Sequence, residues 1–354
     1  MVNGKYLRLI AADRSYFALI KKQVAELLAT STLSAKRKAE TDIVLSEMLS
    51  NLSKHTSESG GVLLVRLVEE NKRQGIEILC MDGGPGIPDL RTMMRDGESS
   101  TLTLGQGLGA MRRLSDVFQV YTQKGWGTVL LSRILDEPPA HRVQPSRPAK
   151  PEIRSLDIQS LIVAKPGETE CGDNFCWTRE ANYIRLFLGD GLGHGKEAAH
   201  AVDMAVAAFR ECTVASPREV LRFIHESVKK SRGLVGTVAT FDIRQKRWNV
   251  CGIGNISTRF WGVTIHKTPV SYNGILGLNI PGTLHDQSVE YEVGQMMIMC
   301  SDGISSKWDI SRFPGIVRHD LALVNAVIFK EFARNTDDTS VISCKLTLEN
   351  AAIH

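Results

Sequence analysis

Residues 46–56 read SEMLSNLSKHT, and how that stretch is read decides the fold of the first half of the chain. It closes a segment, Ser34 to Lys54, in which Ile43, Val44, Met48 and Leu52 recur at three- and four-residue spacing, the mark of an amphipathic helix with Ser34 as its N-cap. Glu47 and Asn51 stand four apart, so a carboxylate and an amide project from one helix face about one turn from each other. Such a pair suits Mg²⁺ with phosphate attached: Asn gives a neutral oxygen ligand, and Glu can order or deprotonate an attacking hydroxyl. Taken alone it is also ordinary helix-surface chemistry. Working outward, Arg14 to Ala29 forms a second amphipathic helix. Val62 to Val68, Ile76 to Met81, Val117 to Thr122 and Thr128 to Ile134 read as short strands, with a helix from about Leu108 to Leu114 between them. Helices and strands in this order predict an α/β sandwich.

Two glycine-rich pieces complete this half. In MDGGPGIPD, Asp82 ends a strand and is followed by Gly83, Gly84 and Gly86; an acid there can accept an exocyclic amine of adenine while the glycines let backbone approach the ring. In LGQGLGAMRRL, Gly105, Gly107 and Gly109 sit immediately before the predicted helix, where N–H groups and the helix dipole would cradle phosphate. The spacing is GxGxG rather than GxGxxG and follows the polar SSTLT, which excludes a dinucleotide fingerprint; no GK[ST] follows, which disfavours a phosphate-loop NTPase.

The chain has 354 residues, 43% hydrophobic and 23% charged, enough for two domains with their own cores. No apolar run approaches a membrane span and no secretory signal is readable, so we expect a cytoplasmic protein without membrane insertion. A net charge of +4 without a Lys/Arg block names no nucleic-acid partner. Seven cysteines without a CxxC pair fit reduced, mostly buried thiols rather than zinc ligands or disulfides. Residues 136–152, DEPPAHRVQPSRPAKPE, carry prolines that forbid helix. We therefore expect domains at 1–135 and 153–346, a linker at 136–152 and a tail at 347–354.

The second half is rich in strands around two helices, near Glu197 to Arg210 and Pro217 to Ser231. Acidic residues beside glycine or at strand ends recur in it: Asp173 in ETECGDNF, Asp190 in FLGDGLGHG, Asp302 in MCSDGI and Asp337 in RNTDDTS. Asp190 and Asp302 directly follow apolar strands, where unpaired charge is costly and a cation would relieve it; either could also simply begin a turn. Hard oxygen ligands select Mg²⁺ or Mn²⁺ over zinc, and a pair of such ions activates water against phosphate esters.

The order of the first-half pieces, with Gly127 and Thr128 of KGWGT, resembles the GHKL class over roughly Ala12 to Leu135, closest to the bacterial anti-sigma and switch serine/threonine kinases of the RsbW and RsbT type. The resemblance implies a GHKL α/β sandwich binding ATP with Mg²⁺. By it, Asn51 holds Mg²⁺, and Asp82, Gly84, Gly86 and Thr128 meet adenine. Gly105, Gly107, Leu108 and Gly109 close over the phosphates, and Glu47 is the base toward a protein serine or threonine. His55, one turn beyond Asn51, is read as structural. No helix with an acceptor histidine precedes the motif, unlike a sensor histidine kinase. The series ECGD, DGLGHG, SDG and DDTS resembles the PPM-type serine/threonine phosphatases, SpoIIE-like and RsbX-like, over Ile153 to Leu346. That implies a β-sandwich flanked by helices (αββα) with two Mn²⁺ or Mg²⁺: Asp190 bridging, Asp173 and the Gly191 carbonyl on one ion, Asp302 and Asp337 on the other, and Asp338 behind them. Cys171 stands where that family has glycine. Together the resemblances imply a bifunctional switch acting on a STAS-domain antagonist protein, with a homodimer through the first domain. The rival is a phosphatase whose first half only binds nucleotide and an antagonist or sigma factor. The presence of Glu47 favours the enzyme.

Overall fold

The structure, a computed structural model, describes residues 4–55, 60–90, 104–137 and 153–348, without the side chains of 104–106. The segment before the glycine-rich helix, most of the expected linker and most of the expected tail lie outside these residues. The described chain forms two compact units, one of residues 6–137 with 313–327 and one of 4–5, 153–312 and 328–348.

In the first unit, strands β1 (Leu7–Ala11), β2 (Gly61–Glu70), β3 (Arg73–Asp82), β4 (Val117–Gln123) and β5 (Gly127–Leu135) form one antiparallel sheet in the order β1-β2-β3-β5-β4. Helices α1 (Phe17–Ala29), α2 (Ala35–His55) and α3 (Leu104–Leu114) cover one face. Alternation sorts β3: Ile76, Ile78 and Cys80 join Val44, Leu45, Met48 and Met111 in the helix-side core, and Glu77 points to the opposite face. Ser34 caps α2 through a long Oγ contact from the Arg37 N–H at 3.5 Å and is itself held by Asp136. Ile43, which the spacing put on the core face, is exposed. Sequence periodicity missed β1, a five-residue edge strand too short to show alternation.

On the opposite face, Arg66, Glu77 and Arg133 are successive cross-strand neighbours on β2, β3 and β5. Glu77 accepts from Arg66 Nε at 2.9 Å, Arg133 Nε at 2.8 Å and the Tyr6 hydroxyl at 2.5 Å, and all four residues are buried. Burial alone would raise the Glu77 pKa; the two guanidiniums and the phenol outweigh it and hold the carboxyl at about 2.

The second unit is a sandwich of two five-stranded antiparallel sheets. One contains β7 (Asp173–Arg179), β8 (Tyr183–Gly191), β9 (Leu234–Asp242), β10 (Arg247–Ile253) and β13 (Gln287–Glu290), in the order β13-β10-β9-β8-β7. The other contains β6 (Ile153–Val163), β11 (Ser257–Trp261), β12 (His266–Lys267), β14 (Met296–Cys300) and β15 (Thr339–Leu348), in the order β12-β11-β14-β15-β6. Leu186, Leu188, Phe241, Trp248, Met297 and Ile342 fill the space between the sheets. Phe187, Val238 and Cys251 turn outward to α4 (Lys196–Glu211) and α5 (Pro217–Ser227). All seven cysteines are buried and none forms a disulfide. A third helix of this half of the sequence, α6 (Leu321–Phe332), was not expected: LALVNAVIFKEF is apolar almost throughout, so it shows no polar face to betray its period.

Candidate functional site

In the first unit α2 supplies Glu47 and Asn51. A Cβ placed on Gly107 of α3 would stand 2.7 Å from Glu47 Oε2 and 3.9 Å from Asn51 Oδ1, so a side chain there would displace the Glu47 carboxylate while only touching Asn51. Asp82, at the end of β3, pairs across the sheet with Thr128. Its Oδ1 accepts the Gly84 N–H at 2.8 Å, which fixes the carboxylate. The Thr128 hydroxyl lies 3.2 Å from that of Thr122, which donates to the Gly127 carbonyl at 3.1 Å and accepts from the Ile87 N–H at 2.9 Å. Gly127 has φ +109°, and a Cβ there would meet the Asp82 carbonyl oxygen at 2.1 Å, so the hairpin closes on Asp82 only with glycine. Asn51, Asp82 and Thr128, with Gly86, line a cavity of about 610 Å³ whose walls include Met48, Leu52, Cys80, Ile87, Leu108 and Leu130; Glu47, Gly84 and Gly107 are not among its lining residues. A mostly apolar slot with a few convergent polar groups suits a flat heteroaromatic base.

The structure adds to the sequence reading at three points. Gly105, Gly107 and Gly109 do not form a loop ahead of the helix; α3 starts at Leu104 and contains them. Glycine is a poor helix former, so the pattern resembled a loop; burial of Leu108 and Met111 and the tight approach of Gly107 to Glu47 override that propensity. His55, read as structural, lines the cavity, and burial lowers its pKa, which favours the neutral ring at pH 7. Lys124 lines the cavity as well and carried no sequence signal beyond its place in the β4–β5 turn.

In the second unit, the β7–β8 ladder places Asp173 directly opposite Asp190. Asp173 stands at the first position of β7. It is fully buried; Oδ2 accepts from the Ser301 hydroxyl at 2.7 Å, whereas Oδ1 has no hydrogen-bond partner among the described residues. Ser301 also accepts the Ser340 N–H at 2.9 Å, and so ties the ends of β14 and β15 to this carboxylate. Nothing in MCSDGI singled out Ser301 beyond its place beside Asp302. Asp302 accepts from Asn255 Nδ2 at 3.0 Å. Asp337 caps the N–H of Asp338 at 2.9 Å. Asp338 is occupied by backbone, taking the Lys165 N–H at 2.8 Å and the Gly172 N–H at 2.7 Å; it holds the loop that carries Cys171 and Asp173. Gly191 ends β8 and donates its N–H to the Gly172 carbonyl at 3.1 Å. Cys171 is buried, and its thiol is pushed up by burial and then by Asp173 and Asp338, so it stays protonated.

The electrostatics of this cluster are those of anions without counter-ions. Burial, then Asp173, Asp302 and Asp337, push the Asp190 pKa well up; burial is also the leading cause of the rise at Asp173 and at Asp302. Among the described residues no three carboxylate, imidazole or thiol side chains converge at ligand distance on one point. Asp173 and Asp190 are the pair in contact, with Asp302 and Asp337 near enough to act on them. An orphaned, fully buried carboxylate oxygen together with carboxyls forced upward fits hard divalent cations, which would relieve both costs.

A largely apolar cavity beside a helix-covered sheet and an acidic cluster in a double-sheet sandwich lie in separate modules, and the family matches make these an ATPase-like module and a SpoIIE-type module. Residues 10–134 match the histidine kinase-like ATPase domain, and residues 180–343 match the stage II sporulation protein E (SpoIIE) family. The chain is 33% identical over 107 residues to the serine/threonine-protein kinase RsbT of Bacillus subtilis (strain 168), a match of 30% of this chain and 77% of that protein. Through this module the chain belongs to the RsbT family, and a SpoIIE-type serine/threonine phosphatase domain follows it. A solved chain from the bacterial stressosome, described as a modular system adapted to control secondary messenger signaling, is 28% identical and covers 54% of this chain and 100% of its own, with a TM-score of 0.50. RsbX in complex with magnesium is 18% identical and covers 54% of this chain and 96% of its own, with a TM-score of 0.47. No described helix is long and apolar enough to cross a membrane.

Proposed function

We propose that the chain is a bifunctional regulator of a partner-switching pathway, in which the first module phosphorylates, and the second dephosphorylates, a serine or threonine on a STAS-type antagonist protein. The single observation that carries the hydrolytic half is the Asp173–Asp190 pair, registered across β7 and β8, with one buried oxygen lacking any partner. Two Mn²⁺ or Mg²⁺ held by Asp190, Asp173, the Gly191 carbonyl, Asp302 and Asp337 would supply Lewis acidity and an activated water. Around them the chain's own groups do the positioning: Ser301 orients Asp173, Asn255 orients Asp302, and Asp338 braces the Gly172 loop. In the first module Asn51 would hold Mg²⁺, Asp82 and Thr128 would read adenine, and Glu47, lodged beside Gly107, would take the proton of the attacking hydroxyl.

Phosphoprotein hydrolysis by the full chain with Mn²⁺, compared with Asp190→Ala, tests the second module; activity at parent level in the variant removes the metal assignment. Transfer of phosphate from ATP to candidate STAS proteins, compared with Glu47→Ala, tests the first. If parent and variant both bind nucleotide and neither transfers phosphate, the first module is instead a nucleotide-dependent binding module for an antagonist or sigma factor. The position of Glu47 against the glycine helix, beside Asn51, favours the kinase. A homodimer through the first module, a two-module division around 136–152 and a cytoplasmic home complete the proposal.

A further inference from the structure

One guanidinium beside the loop that follows Asp190 pairs with no described residue. Arg232 precedes β9, in a segment fixed beside the Asp190 loop: β8 and β9 pair Asp190 with Val235 and Gly191 with Leu234, and the Leu192 N–H donates to the Gly233 carbonyl at 3.2 Å. Its guanidinium lies over Gly193. A Cβ built on that residue would stand 3.0 Å from Nη2, 3.4 Å from Cζ and 3.6 Å from Nη1, so the whole fork covers the glycine. Arg232 is exposed and makes no side-chain hydrogen bond or ion pair with any described residue. Arg334 behaves differently, because its charge acts on Asp302 and offsets part of the rise that burial and Asp337 impose on that carboxyl.

We propose that Arg232 is a phosphoryl-binding residue of the second site, donating its paired N–H groups to non-bridging oxygens of the phosphate monoester above Gly193. The inference rests on the phosphatase reading and adds to it the group that receives the substrate's charge. A phosphate dianion approaching several carboxylates is repelled unless positive charge meets it, and Arg232 would bring such a charge from the Gly193 side. A guanidinium matches two phosphate oxygens at once, where an ammonium would act as a point charge. Gly193, with φ +77°, keeps the path clear: a side chain there would run into the fork. The sequence offered no hint of this role, since the register of two strands, not a motif, brings Arg232 to the loop.

The test uses the full chain loaded with Mn²⁺, with inorganic phosphate titrated by calorimetry and p-nitrophenyl phosphate as substrate, in the parent, Arg232→Ala, Arg232→Lys and the charge control Lys230→Ala. We expect Arg232→Ala to weaken phosphate binding at least about tenfold and to raise KM in proportion. Arg232→Lys should fall between, and Lys230→Ala and the Mn²⁺ affinity of every variant should stay within about twofold of the parent. Phosphate affinity in Arg232→Ala within twofold of the parent overturns the proposal, as does a parent that binds no phosphate. Loss in Lys230→Ala equal to that in Arg232→Ala, or a matching loss of Mn²⁺, also overturns it by assigning the effect to net charge or to the metal ligands. A parent that binds phosphate through Arg232 yet hydrolyses no ester supports this subsite and sinks the phosphatase reading.

Discussion

Replacing Glu77 by Gln should destabilise the first unit in a pH-dependent way. The carboxyl ionises at about 2 in the fold against an ordinary 4.5, because Arg66 and Arg133 flank it and Tyr6 donates to it, more than offsetting its burial. By linkage, a carboxyl so depressed contributes about 3 kcal/mol at neutral pH. The sign follows from the direction of the shift: the contribution is fully present above 4.5 and is lost as pH falls toward 2, so about 2 kcal/mol of it has gone at pH 3. Gln keeps some hydrogen bonding but takes from Arg66 and Arg133 the buried charge they share, with Arg133 retaining Glu70 at 3.4 Å and Asp320 at 3.3 Å, a change whose cost is of the same order, about 3 kcal/mol. Hydrogen exchange of the β2 and β3 peptides reads this unit independently of the other. Protection at pH 7 should drop roughly a hundredfold in Glu77→Gln, with a much smaller gap between parent and variant at pH 3. Because Glu77 faces away from the cavity side of β3, nucleotide affinity at 25 °C should hold. Protection within threefold of the parent at pH 7, or a gap that does not shrink in acid, would refute the assignment of Glu77 as an ionised buried partner of two arginines.

Three further outcomes follow from the sites. Asp190→Asn removes a carboxylate that burial and three neighbouring acids disfavour, so the metal-free chain should melt a few degrees higher while Mn²⁺-dependent hydrolysis falls at least about a hundredfold; a lower melting temperature would count against the charge crowding. Since the pKa values of Asp173 and Asp190 are both raised, protons compete with cations, and Mn²⁺ affinity measured by titration should weaken from pH 8 to pH 6 by roughly tenfold for each proton displaced per pH unit; a flat profile contradicts the shifts. Gly107→Ala places a Cβ 2.7 Å from Glu47 Oε2 and must push that flexible carboxylate aside, so phosphotransfer should drop about tenfold or more with nucleotide affinity little changed; unaltered transfer would detach Glu47 from the chemistry.

What could be read in the sequence was whatever local spacing determines. The Glu47–Asn51 face of α2, Asp82 at the end of β3 and Asp190 at the end of β8 follow from periodicity and from where an apolar run stops. The misread parts depend on what packs against them. The glycines of α3 resemble a loop until Gly107 is seen to accommodate Glu47, and α6 lacks a polar stripe because its exposed side is small. Asp173 opens its strand, and the antiparallel pairing of β7 with β8, which spacing does not reveal, sets it opposite Asp190. Ser301 and Arg232 matter through distances across the sheets that a linear spacing does not encode.

Buried acids in this chain fall on opposite sides of their ordinary range, and the direction separates two uses of a carboxylate. Glu77 is fully buried, yet it is held ionised by two guanidiniums that are its cross-strand neighbours; every lone pair it offers is claimed, and no room is left for a ligand. Asp173 is equally buried but faces Asp190, so its charge is opposed rather than paired, and one oxygen stays unclaimed. Burial acts the same way on both. What differs is the sign of the nearest charge, set in each case by strand register: a one-residue slip of β3 would carry Glu77 to the helix-side face and away from its arginines. A site for cations therefore does not require a special residue type. It requires the ladder to bring like charges together at a strand end, where the stabilisation missing from the protein alone is available from an ion.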